Sequence, residues 1–119
     1  MSTDALVRLR TMCRTLPEVT ELANVRPVFR VGHKSFAMYM DNHHNDGRVA
    51  LWCKAGPGIQ QALVGADPAH YFVPPYVGAQ GWIGIRLDGV VDWDAVAGLL
   101  VEGYRLQAPK RLVALLDRS

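Results

Sequence analysis

The sequence predicts an α+β fold: a two-layer sandwich in which an antiparallel sheet is covered on one face by N- and C-terminal helices. Three observations carry this reading. The strand-like segments follow one another directly in the middle of the chain, whereas the helix-like segments stand mostly at its ends. Two of the strand connections are short enough for hairpins. The 119 residues, half of them apolar and a fifth charged, suit one domain spanning 1–119 with a substantial core.

The first helix is "STDALVRLRTMCRTL". It opens on a Ser/Thr/Asp capping signal, repeats apolar residues at Leu6, Leu9, Cys13 and Leu16, and is stopped by Pro17. "VTELA" follows as a short strand. "VFRV" and "KSFAMYM" form a hairpin around Gly32-His33, and "DNHHNDG" turns the chain into "RVALWCK". Pro57 marks the start of a helix over "GIQQALVGA", and "DPAHYFVPPYVGAQG" reads as a Pro/Gly-rich connection. "WIGIRL" is the next strand. Asp92 caps "WDAVAGLLVEGYRLQ", with Trp93, Val96, Leu100 and Tyr104 on one stripe, and "PKRLVALL" is the last helix. The order is αββββαβαα.

Composition excludes several classes. A net charge of +2 is too small for a histone-like or membrane-adhesive protein. No apolar run approaches the ~20 residues of a membrane span, and the N-terminal segment lacks the pattern of a secretory signal. Cys13 and Cys53 make no CxxC pair and sit in apolar patterns, as two buried thiols in a reducing compartment would. The expected location is cytoplasmic.

Alternation assigns the two faces of the sheet. A two-residue turn at Gly32-His33 sets Phe29 opposite Phe36 and Arg30 opposite Ser35. Matching apolar faces in the second hairpin then pairs Met40 with Val49, Met38 with Leu51, and Phe36 with Cys53. Phe29, Phe36, Met38, Met40, Val49, Leu51 and Cys53 face the helices, with Ile83, Ile85 and Leu87. The outer face then carries Trp52, Trp82 and Tyr39 among Arg30, Arg48, Lys54 and Arg86, separated by Ser35, Ala37, Ala50 and Gly84. Indoles beside cations suit a flat anionic partner, with bases on rings and phosphates on guanidinium and ammonium groups. The competing reading folds loop 70–81 over this face, so that Tyr71, Phe72 and Tyr76 bury the tryptophans in a second small core. A third reading leaves a pocket there, roofed by residues 71–81, where Lys54 and Arg86 clamp an anionic ligand.

Smaller signals weigh less. Lys54 precedes "AGPG" and a helix start, a combination that fits an anion site or simply a strand-to-helix turn. His43 and His44 read as a solvated hairpin tip, because no partner at metal-ligand spacing appears. His33 and His70 read as solvated too. Asp88, Asp92 and Asp94 are absorbed by a turn, a cap and the helix dipole. No nucleophile stands beside a base, so no enzyme activity, metal or cofactor is expected. Arg8, Arg10, Arg14, Arg105, Lys110 and Arg111 form a basic rim that could assist phosphate contact.

"LPEVTE", "FRVGHKSFAMYM", "VALWCK", "YFVPPYVGAQGWIGIRLDGVVDW" and "YRLQAPKRL" together resemble the MmcQ/YjbR family of small bacterial proteins over nearly the whole chain. The resemblance implies a frataxin-like (CyaY-like) sandwich. It also implies a DNA-binding role through a "double wing" of two hairpins, here the turns at Gly32-His33 and His43-His44, and it brings no catalytic residues. Frataxins hold iron on an acidic ridge. The first helix here carries Arg8, Arg10 and Arg14 instead, so iron binding is not implied.

The expected function is therefore non-catalytic binding of DNA or another nucleic acid, with a small anionic ligand as the alternative. The residues expected to carry it are Arg30, Lys34, Arg48, Trp52, Lys54, Tyr76, Trp82 and Arg86. No membrane contact is expected, and the chain is expected to be a monomer.

Overall fold

A computed structural model describes residues 2–23, 26–42 and 47–118. Helix α1 (Ser2–Arg14) leads into strands β1 (Thr20–Ala23), β2 (Pro27–Val31), β3 (Lys34–Asp41) and β4 (Val49–Cys53). Helix α2 (Ile59–Ala66), a two-residue strand β5 (Tyr71–Phe72) and a 3-10 turn (Val77–Gln80) precede β6 (Ile83–Arg86). Helices α3 (Trp93–Gln107) and α4 (Lys110–Asp117) close the chain. The six strands form one antiparallel sheet in the order β1-β2-β3-β4-β6-β5. This is the expected α+β arrangement with one strand more than expected. Tyr71–Phe72 lies in the stretch read as plain connection, and two residues are too few to show a period.

The helices share one face of the sheet. Leu9 and Cys13 of α1, Val96, Leu100 and Tyr104 of α3, and Leu112 of α4 are buried with Phe29, Leu51, Cys53, Ile83 and Ile85 in the main core. Tyr104 anchors this layer. Its ring meets Phe36 edge-on with centroids 5.8 Å apart, and its hydroxyl donates to the Pro17 carbonyl at 2.8 Å. Helix α3 comes down on the sheet at Gly103, where a Cβ would lie 2.8 Å from the Lys54 carbonyl oxygen and 2.9 Å from Cys53 Sγ. Only glycine lets helix and sheet approach this closely. Both cysteines are buried free thiols; burial pushes Cys13 up to about 12 and Cys53 higher still, which suits packing and not nucleophilic chemistry.

The register of β3 departs from the expected one, for a local reason. Phe29 pairs with Ala37 but Arg30 pairs with Ser35, so Phe36 is an extra residue on β3 with no partner on β2. This bulge puts Phe36 and Ala37, consecutive residues, both into the helix-side core. Beyond it the alternation is inverted. Met38 pairs with Trp52, Tyr39 with Leu51 and Met40 with Ala50. Tyr39 therefore lies in the helix-side core, whereas Met38 and Met40 lie on the far face. Strands β4 and β6 keep their expected faces. Leu51, Cys53, Ile83 and Ile85 point to the helices, and Ala50, Trp52 and Trp82 point away.

Candidate functional site

The far face of the sheet is not open. Trp52 and Trp82 are 2% and 4% exposed, in a second core with Met40 and Ala50, against which Met38, Phe72 and Val77 pack. Strand β5 makes this possible. Phe72 pairs with Gly84, and a Cβ on Gly84 would lie 2.4 Å from the Phe72 ring, so the missing side chain is what lets the ring cross β6. The Arg48 guanidinium then stacks 4.1 Å from the centre of the Phe72 ring. The expectation that Trp52 and Trp82 meet a ligand directly is thus corrected. Segment 72–82 roofs them, through Phe72 and Val77; Tyr71 faces the main core instead, and Tyr76 is 74% exposed.

The candidate cations separate into two ends of the sheet. Arg86 pairs with Ala50 in the ladder, and the Leu87 amide donates to the Val49 carbonyl, which puts Arg86 at the end of β4 that follows Arg48. Arg30, Lys34 and Lys54 stand at the opposite end. Arg86 and Lys54 thus stand toward opposite ends of β4; the rows that hold Ala50 and Cys53 are three residues apart, roughly 10 Å.

Three of the five cations already serve the fold. Arg48 lies on Phe72. Arg86 makes a two-pronged contact with Asp88 at 3.1 and 3.0 Å, which holds the Asp88 carboxyl below its usual range. Arg30 donates to the His33 carbonyl at 2.7 Å and so fastens the β2–β3 turn. Several other basic side chains are engaged as well: Arg10 with Glu21, Arg105 with Asp117, and Arg111 with Glu18, whose carboxyl is lowered by that contact.

Lys34 and Lys54 remain, and the fold adds Lys110 to them. The Lys54 amide donates to the Phe36 carbonyl at 2.9 Å, and Gln107 Nε2 donates to the Ser35 carbonyl at 3.0 Å. Gly32 of the turn sits against Pro109, where a Cβ would be 3.7 Å from its Cδ. Residues 34, 54 and 110 thus flank one junction between the β2–β3 turn, the end of β4 and the start of α4. Among the described residues none of the three lysines is in an ion pair. The first wing, Gly32-His33, is part of this junction; the second, His43-His44, lies outside the described residues.

Lys54 also borders a cavity of about 390 Å³ between the first turn of α2 and the 3-10 segment. Its walls include Gly56, Gly58, Gln61, Gln80 and Leu106, and among the described residues no carboxylate lines it. Gln60 fixes this wall. Its Nε2 donates to the carbonyls of Gly78 and Trp82 at 2.8 and 2.7 Å, tying α2 to the roof of the tryptophans. Sequence reading located the lysine and the turn here but not Gln60, because a polar residue in a helix's first turn gives no sign of what it reaches.

A second, smaller cavity of about 220 Å³ lies at the other end, lined by His70, Tyr71, Arg86, Val91 and Asp92 among others. His70 is not simply solvated, as the sequence suggested. Its Nδ1 sits 2.9 Å from the Asp67 carboxylate across the Asp67-Pro68-Ala69-His70 turn. Each charge in this cluster has a structural counterpart, since Asp67 meets His70, Arg86 meets Asp88, and Asp92 accepts from the Ala95 amide as the α3 cap. Burial raises Tyr71, as do Asp67 and Asp92. The turn pattern Asp-Pro-x-His was the available signal. Among the described residues no group of three or more His, Cys, Asp or Glu side chains is placed to hold a metal ion, and no helix is long and apolar enough to cross a membrane.

An α+β fold whose sheet carries helices on one face and a small tryptophan core on the other, with Lys34, Lys54 and Lys110 toward one end, is the class of molecule this geometry defines. The YjbR family model matches residues 14–106, and the chain belongs to that family. It is also similar to the crystal structure of Deinococcus radiodurans protein DR2400, described as a DUF419 domain. The TM-score is 0.71 at 24% identity, over 92% of this chain and 85% of that one, a likeness of fold. No curated protein matches the chain.

Proposed function

We propose that this YjbR-family protein is a non-catalytic nucleic-acid-binding protein that holds the phosphate backbone at the end of the sheet where the β2–β3 turn, β4 and α4 meet. The supporting observation is that Lys34, Lys54 and Lys110, on three separate elements, adjoin the Gln107–Ser35, Lys54–Phe36 and Gly32–Pro109 contacts, outside any ion pair among the described residues. Lysines outside any ion pair at one end of the molecule raise the positive potential there. A polyanion neutralises that potential and releases its own counterions. Arg10 and Arg86 are matched with carboxylates away from this junction, and beside Lys110 the next residue, Arg111, is paired with Glu18. Base readout by Trp52 and Trp82 has no part in this mechanism, since both indoles lie beneath Phe72 and Val77.

The test is the salt dependence of oligonucleotide binding, followed by fluorescence anisotropy. Three phosphate contacts predict a log–log slope of about −2 to −3, and Lys34→Gln, Lys54→Gln and Lys110→Gln should each flatten it by about one unit. Absence of binding at low salt, or a slope indifferent to all three substitutions, would exclude the proposal. The cavity beside Lys54, lined by no carboxylate among the described residues, favours a second reading, a small anionic ligand seated there. In that case Lys54→Gln alone matters, and a small anion such as phosphate or citrate raises the melting temperature without competition from oligonucleotides.

A further inference from the structure

Resting on the nucleic-acid reading, we propose that the cavity beside Lys54 seats a terminal phosphate monoester, so that the protein takes hold of a nucleic-acid strand at its end. The cavity of about 390 Å³ lies between residues of the segment 54–61 and residues 78–81, with Leu106 of α3 beside them. That is the scale of a small-molecule site, roughly 300–1,000 Å³, and more than a bare ion needs. A phosphate together with its terminal sugar suits such a space.

The two walls are held at a fixed spacing. Gln60 is 6% exposed, and its Nε2 donates to the carbonyls of Gly78 and Trp82 at 2.8 and 2.7 Å. Trp82 belongs to the second core with Trp52 and Met40, so this tie runs into a packed layer. Lys54 is anchored from the other side. Its amide donates to the Phe36 carbonyl at 2.9 Å, and its own carbonyl lies against Gly103 of α3, which leaves the side chain to meet a ligand. A site held in this way stands ready before its ligand arrives and loses little freedom on filling.

The lining sets the chemistry. Lys54 is the one charged residue among the described residues that line the cavity. Gln61 and Gln80 add neutral amides, which donate to an oxygen without adding charge. Gly56, Gly58, Gly78 and Gly81 present backbone without side chains, so an oxygen-rich group can come close.

Shape and charge together separate the end of a strand from its middle. A phosphodiester carries a sugar on both sides, so its chain must leave in two directions and lies along open surface. A monoester is tethered on one side and can enter between walls. It carries about −1.5 to −2 charges at pH 7, and a lysine with no carboxylate beside it in the lining gains more from that than from a diester's single charge. Lys34 and Lys110 are not among the residues lining the cavity and are left to the diesters that follow.

The experiment measures binding of one internally labelled oligonucleotide at low salt, with a 5′-phosphate, with a 3′-phosphate, or with hydroxyls at both ends. A hydroxyl-ended strand two nucleotides longer matches the added charge. At least one phosphorylated strand should bind the wild type about 10-fold more tightly than either hydroxyl-ended strand, and the one that does identifies the end that is held. Lys54→Gln should remove the preference. So should Gln80→Glu, which sets a carboxylate in the wall at an exposed position and leaves the packing untouched. Lys34→Gln, outside the cavity, should weaken all four strands alike. The inference is overturned if the wild type binds phosphorylated and hydroxyl-ended strands equally, if the longer strand matches the phosphorylated ones, or if the preference survives Lys54→Gln and Gln80→Glu. If no strand binds at low salt, the nucleic-acid reading itself is lost as well.

Discussion

Trp52 shows how far a residue can be read from its neighbours in sequence. Alternation along "RVALWCK" correctly sends it to the face away from the helices. A face away from the helices is still not a solvent face. Phe72 covers it from the edge strand, and that depends on Gly84 having no side chain under the Phe72 ring. Neither the pairing of Phe72 with Gly84 nor the seating of Val77 has a periodic signature, because both come from a segment dominated by proline and glycine. With Trp52 wholly enclosed, Trp52→Ala leaves a large cavity and should cost about 3–5 kcal/mol in chemical denaturation. Oligonucleotide affinity, corrected for the folded fraction, should stay unchanged. A stable Trp52→Ala protein that has lost binding would mean the indole acts on the partner directly.

Among the elements, those with four or more residues of clear period were legible: α1, the four strands β1–β4, α2, β6, α3 and α4 all lie where the sequence placed them, to within a few residues. The β3 register was not, since the inserted residue, Phe36, is as apolar as the residues on either side of the expected pairing. Helix spacing likewise said nothing of Gly103, the point where α3 touches the sheet. The neighbours there are the Lys54 carbonyl and the Cys53 sulfur, which itself bonds the Leu99 carbonyl at 3.3 Å, and neither can move independently of β4. Gly103→Ala should therefore push α3 off the sheet and lose about 1–3 kcal/mol by denaturant titration. Gly98, on the same helix with open space around its missing side chain, should accept alanine with a gain in stability. Equal behaviour of the two variants would argue against a close helix–sheet contact at Gly103.

Over the whole molecule, the question of function becomes one of where charge goes. The chain's small net charge hides a division between two ends. Arg48 and Arg86 sit at one end, committed to Phe72 and Asp88; Lys34, Lys54 and Lys110 lie toward the other, where Arg111 is paired with Glu18 and where no carboxylate among the described residues lines the cavity beside Lys54. The sequence identified most of these cations but could not sort them, because the sorting depends on strand register and on the Gly32–Pro109 and Gln107–Ser35 contacts between distant segments. The most direct measurement is an amide NMR titration of the labelled protein with an unlabelled single-stranded oligonucleotide. Shift changes should centre on Lys34, Lys54, residues 78–81 and Lys110, and should leave the amides of Arg48 and Arg86 in place. Perturbations centred on Arg48 and Arg86, or none at all, would contradict the account.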